Sequence, residues 1–131
     1  MFRVTLIVVA IAALFAMTAC GSSAPNELKL TKPDSGKTFD LAKGGTLEVT
    51  LEGNPTTGYL WGLLAGNDAV LKPASDYTFK ADNPNLVGAG GKFTFKFQAV
   101  GVGSAPLKFG YQRPWEQVPP AETFAVTINV K

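Results

Sequence analysis

The chain has no histidine and a single cysteine, Cys20, among 131 residues. Without histidine, the usual Ser-His-Asp and Cys-His catalytic arrangements are excluded. One thiol cannot make an internal disulfide, so packing alone must hold the fold. Charge is sparse and balanced, with 12 Lys and Arg against 10 Asp and Glu and a formal net charge of +2. That leaves no basic face for nucleic acid. The carboxylates are scattered rather than clustered, so no metal set is expected. A Ser-Lys hydrolase survives on composition, but no motif supports one. No cofactor fingerprint occurs either. Gly88-Ala89-Gly90-Gly91-Lys92 is followed by Phe93, where a phosphate loop needs Ser or Thr. Beyond the first twenty residues there is no convincing helical period.

Those first twenty residues read as an export address. Arg3 supplies a positive start, Val4 to Met17 is almost wholly apolar, and Thr18-Ala19-Cys20 closes the run with small residues. A spanning helix needs about 18 or more apolar residues, so cleavage is expected. Met17-Thr18-Ala19-Cys20 resembles a bacterial lipobox, with Met17 where Leu is usual. The resemblance implies a signal peptide over 1–19 and acylation of Cys20. An ordinary secretory signal with an incidental cysteine is the alternative, although an unpaired thiol is odd in an exported domain. Gly21 stands where an inner-membrane retention signal would place Asp, and by the same resemblance this implies a lipid anchor in the outer membrane or periplasm. Residues 20–26 then form a lipid-anchored tether, and 27–131 form one domain.

Within that domain the period is two. Leu28 and Leu30 alternate with polar neighbours, as do Leu47, Val49 and Leu51. Phe93, Phe95 and Phe97 give the cleanest strand pattern, followed by Leu107, Phe109 and Tyr111, then Phe124, Val126, Ile128 and Val130. Thr38 to Leu41 reads as a second stretch of the first edge strand. Tyr59 to Leu64 reads as a strand packed on both faces, with Trp61 in the core. Val70 to Lys80 reads as one strand with Pro73 at an edge or bend. About seven strands joined by turns imply an all-β, immunoglobulin-like antiparallel sandwich. A closed sandwich with polar outer faces is expected to be monomeric.

Three loop motifs interrupt the strands: Asn54-Pro55-Thr56-Thr57-Gly58-Tyr59, Gly88-Ala89-Gly90-Gly91 and Arg113-Pro114-Trp115. Strand parity places all three at one end. In the first, Pro55 fixes one backbone angle and Gly58 permits a positive one. The motif is either a well-made turn or a rigid, narrow tip carrying Thr56 and Thr57. Three glycines in the second let the backbone approach another surface, or make a flexible connection. In the third, Trp115 either covers the end of the sandwich or stands exposed beside Arg113, and these are the residue types most enriched at interface hot spots. Tyr59 reads as a packing anchor.

In order and spacing, the three motifs together resemble the chagasin family of cysteine peptidase inhibitors, over essentially the whole domain. The resemblance implies tight, reversible inhibition of papain-like (clan CA) peptidases rather than an enzymatic activity. It places the Thr56 loop in the centre of the peptidase cleft, with Thr57 and Gly58 shaping the tip. It lays Gly88 to Gly91 along the non-primed side through backbone contacts. Trp115 packs on the primed side, Arg113 adds polar contacts and Pro114 holds the loop. Such contacts bury about 1,600 Å² in total. A non-inhibitory envelope binding or adhesion module is the rival from another class, since a fold alone does not dictate function.

Overall fold

The computed structural model describes residues 24–131; the expected signal segment and Cys20 lie outside the described residues. Nine strands follow in order: β1 (Glu27–Thr31), β2 (Thr38–Leu41), β3 (Thr46–Gly53), β4 (Leu60–Ala65), β5 (Leu71–Pro73), β6 (Thr78–Ala81), β7 (Gly91–Ala99), β8 (Gly103–Gln112) and β9 (Glu122–Val130). Two three-residue 3-10 turns, Lys32–Asp34 and Pro55–Thr57, are the only helical pieces among the described residues. One sheet has the order β1-β3-β7-β5, with β6 also pairing β7; the other runs β2-β9-β8-β4.

This is the immunoglobulin-like sandwich expected, with nine strands in place of seven because two expected strands are divided. The first edge strand changes sheets. β1 runs parallel to β3, and the chain then turns through Lys32–Asp34 so that β2 runs parallel to β9 in the opposite sheet. The Thr31 amide donates to Asp34 Oδ2 at 2.9 Å and fixes that switch. These two pairings also make the sheets mixed rather than purely antiparallel. Near residue 73, Pro73 ends β5, and β6 resumes the pairing along the same β7. Neither division reverses the chain, so the strand parity is unchanged.

Alternation places the core where the pattern requires. Leu47, Val49 and Leu51 face it from β3, and Phe93, Phe95 and Phe97 from β7. Phe109 bridges the sheets, with ring centroids 4.8 Å from Phe95 and 6.0 Å from Phe124. No polar or charged side chain is buried among the described residues. A fully buried aromatic or large aliphatic side chain contributes about 1.5–3 kcal/mol, which suits a domain with no disulfide to rely on.

β4 departs from expectation. Trp61 is buried, but Leu63 and Leu64 are exposed. β4 is an edge strand, and its register against β8 breaks between Leu63 and Ala65. The run is apolar without being covered on both faces.

Register fixes the ends of the sandwich. Gly53 at the close of β3 lies opposite Gly91 at the opening of β7, which also lies opposite Ala81 at the close of β6. In the other sheet, Leu60 at the opening of β4 lies opposite Gln112 at the close of β8, and Tyr111 opposite Glu122. The connections 54–59, 82–90 and 113–121 therefore leave from one end.

Candidate functional site

Asn54 organises the first loop. Its Oδ1 accepts from the Thr56 amide at 3.1 Å and from the Thr56 hydroxyl at 2.6 Å, capping the 3-10 turn. The Thr57 hydroxyl donates to the Asn54 carbonyl at 2.7 Å. Pro55 opens the turn and Gly58 closes it at φ 86°, a left-handed conformation that suits glycine. Thr56 and Thr57 stand exposed at the tip with their hydroxyl protons engaged inside the loop.

The other loops are tied to this one. Asn54 Nδ2 donates to the Gly88 carbonyl at 2.8 Å, joining the first and second loops. Arg113 Nε donates to the Thr57 carbonyl at 3.0 Å, joining the first and third. Arg113 Nη1 also pairs with Glu116 at 3.0 Å, closing the third loop on itself. Trp115 lies with its ring edge against Gly58, where any Cβ would collide with Cη2. It is nonetheless 68% exposed. Of the two alternatives for Trp115, the structure takes the exposed one.

An aromatic column carries this arrangement down into the core. The Arg113 guanidinium sits 4.5 Å from the Tyr59 ring centroid. Tyr59 is 5.2 Å from Tyr111, and Tyr111 stacks at 5.1 Å on Trp61. Tyr59 is thus a packing anchor, as its position after the turn suggested. The Tyr111 hydroxyl accepts from the Asn54 amide at 2.7 Å. The Trp61 ring nitrogen donates to the Glu52 carbonyl at 2.9 Å. Strand-borne aromatics therefore hold both ends of the first loop.

Not all thirteen residues of the three motifs face outward. Thr56, Thr57, Gly88, Pro114 and Trp115 are exposed, while Asn54, Pro55, Gly58, Tyr59, Ala89, Gly90 and Arg113 are half-buried. Gly91 is buried within β7, where a Cβ would meet the Lys80 carbonyl. Its backbone is paired with two neighbouring strands, opposite Gly53 and Ala81, so it shapes the second loop from within the sheet. Gly90 likewise lets the loop pass close to the Gly53 carbonyl. Sequence reasoning missed Leu86 and Val87, which are 60% and 105% exposed on the second loop. Two adjacent aliphatics in a stretch of Asn, Pro and Gly were the available signal. Tyr111 was read only as a strand residue, because its contact with Asn54 spans 57 positions.

Three interlocked loops on the end of a rigid sandwich, with an exposed Trp beside them, define a protein that acts by covering another surface. The chagasin family peptidase inhibitor I42 profile matches residues 40–128, and the chain belongs to that family. It is a peptidase inhibitor, not an enzyme. Amoebiasin-1 of Entamoeba histolytica is 32% identical over 104 residues, covering 79% of this chain and all of the relative. The crystal structure of the cysteine protease inhibitor EhICP2 from Entamoeba histolytica superposes with a TM-score of 0.72 at 24% identity, over 82% of this chain and 99% of that one. PbICP-C in complex with falcipain-2 gives a TM-score of 0.56 at 23% identity, over 80% of this chain and 98% of that one.

Proposed function

We propose that this chain reversibly inhibits papain-like cysteine peptidases by seating its three loops across the active-site cleft. The observation that carries this reading is the coupling of the loops: Asn54 to Gly88, and Arg113 to Thr57. One rigid edge results, with Thr56 and Thr57 at its centre, the second loop on one side and Trp115 on the other. Little conformational freedom remains to be lost on binding. The relative EhICP2 is described as a cysteine protease inhibitor, and PbICP-C is seen in complex with falcipain-2. Both support cysteine peptidases as the partner class.

In this reading Thr56 enters the cleft centre, Thr57 and Gly58 shape the tip, and Arg113 and Pro114 hold the loop that presents Trp115. Gly88, Ala89 and Gly90 bring the second loop alongside, and the exposed Leu86 and Val87 add aliphatic contact there. The domain covers 27–131. A lipid on Cys20 anchors it to the bacterial envelope, at the outer membrane or periplasm, through residues 20–26.

Titrating papain with the purified chain tests the inhibitory reading. Stoichiometric loss of activity that recovers on dilution is expected. No inhibition by folded chain, either of papain or of a second papain-like enzyme, refutes it. Cys20→Ser should move the chain from the membrane fraction to the soluble fraction; unchanged fractionation refutes the anchor.

A further inference from the structure

The described chain enters the sandwich at the end opposite the three loops. Glu27 at the opening of β1 lies opposite Thr46 at the opening of β3, whereas the first loop follows the close of β3. The Pro25 carbonyl accepts from Ala42 at 2.8 Å, and the Asn26 carbonyl from Thr46 at 2.9 Å. The chain is thus pinned to this end from Pro25 onward. From Cys20 to the pinned Pro25 the backbone reaches at most about 18 Å, at roughly 3.5 Å per residue. β3 alone separates the two ends by about 24 Å, at roughly 3.4 Å per residue. A lipid on Cys20 therefore has this end within reach and the loop end out of reach.

This end carries two exposed aliphatics on one turn. Val100 is 40% exposed and Val102 68%, flanking Gly101 between β7 and β8. The turn is stiff: the Val100 amide donates to the Val70 carbonyl at 2.9 Å, and Gly101 lies so close to the Ala69 carbonyl that no Cβ would fit. Lys43 precedes Gly44, whose amide donates to the Ala99 carbonyl, and Lys72 lies opposite Gln98; both are exposed and neither makes an ion pair among the described residues. Lys131 at the same end pairs with Asp40, and Glu27 pairs with Lys29. Asp68, in the turn between β4 and β5, and Glu48, opposite Lys29 near the opening of β3, are carboxylates toward the same end.

We propose that this end is a bilayer-facing surface, with Val100 and Val102 at headgroup level and Lys43 and Lys72 over anionic headgroups. The inference rests on acylation of Cys20. Short apolar tips beside lysines suit a membrane interface, and lysines near an anionic surface are attracted to it. The consequence is orientation. The anchored domain stands with Thr56, Leu86, Val87 and Trp115 facing away from the membrane, available to a peptidase arriving from the aqueous side.

The test uses the acylated full chain in vesicles of phosphatidylethanolamine and phosphatidylglycerol. With Cys20 blocked by lipid, Val102→Cys and Asn85→Cys each accept one fluorescent label, at opposite ends of the sandwich. A nitroxide carried on the lipid headgroup should quench the label at 102 several-fold more than that at 85. Adding Lys43→Glu and Lys72→Glu should shrink the difference. Equal quenching at both positions, or stronger quenching at 85, overturns the docking while leaving the anchor intact. Mass spectrometry of the same preparations separates the two failures, because an unacylated Cys20 overturns the anchor and the docking together.

Discussion

Replacing Gly58 by alanine separates the position of Trp115 from its mere presence. Gly58 sits at φ 86°, and its open face lies against the Trp115 ring, with Cζ2 at 3.0 Å from where a Cβ would stand. Two consequences follow from one methyl group. An L-residue in the left-handed region costs about 1–2 kcal/mol. The methyl also displaces the indole, because a ring edge cannot interpenetrate it. Gly44 is the control: its φ is 87°, a Cβ there meets nothing within 4 Å, and it lies at the opposite end. Gly58→Ala and Gly44→Ala should both lower the melting temperature, by about 4–8 °C for each kcal/mol in a domain of this size. Only Gly58→Ala should weaken papain inhibition. Loss of a hot-spot Trp contact removes about 2 kcal/mol or more, which is about 30-fold in the inhibition constant. Trp115→Ala should fall in the same range, and adding Gly58→Ala to it should cost little further affinity. If Gly58→Ala inhibits as well as the parent while showing the expected stability loss, Trp115 is not an anchor held by that glycine.

Thr56→Glu should weaken inhibition far more than Thr50→Glu, because Thr56 stands at the exposed loop tip and Thr50 within β3; equal losses would refute cleft insertion. Tyr111→Phe removes the acceptor of the Asn54 amide and should lower stability by about 1 kcal/mol, measured by denaturant unfolding. It should also weaken inhibition, since the first loop loses its tie to β8; an inhibition constant unchanged by Tyr111→Phe would refute that coupling. Leu86→Ser combined with Val87→Ser should weaken inhibition several-fold without moving the melting temperature, as both side chains are exposed; unchanged inhibition would remove them from the interface.

The alternating phenylalanines of β7 and the apolar positions of β3 and β9 made the sandwich readable, because each sheet has one face in the core and a strand of period two shows it. The common end of the loops was readable from parity, which depends only on chain reversals. Membership of the two sheets was not readable. Nothing local in Thr31 to Thr38 says that the chain will cross to pair with β9, since the partner strand lies some ninety residues away. The exposure of Leu63 and Leu64 was hidden for the same reason: an edge position is decided by which strands fail to arrive. Within the site, Asn54, Gly58 and Arg113 announced themselves through turn chemistry and composition. Their mutual bonds, the burial of Gly91 and the support from Tyr111 arise only when the loops are assembled.

The geometry of the first loop also explains how an inhibitor can occupy a proteolytic cleft without being cut. Extended peptides are recognised through free main-chain groups, whereas residues 55–57 form a 3-10 turn ended by a left-handed glycine. The Asn54 carbonyl already accepts from the Thr57 hydroxyl, and the Pro55 carbonyl from the Gly58 amide at 3.0 Å. Nucleophilic attack requires the carbonyl oxygen to turn toward the donors of an oxyanion hole, and these oxygens are held by the loop itself. The parent chain should therefore keep its intact mass through prolonged incubation with equimolar papain, and the peptidase should regain activity on dilution. Asn54→Ala with Tyr111→Phe removes the side-chain bonds that cap the turn and secure it to the sandwich. That variant should become a slow substrate, cut between residues 54 and 58. Cleavage of the parent at the same place and rate would mean that resistance does not come from the folded turn.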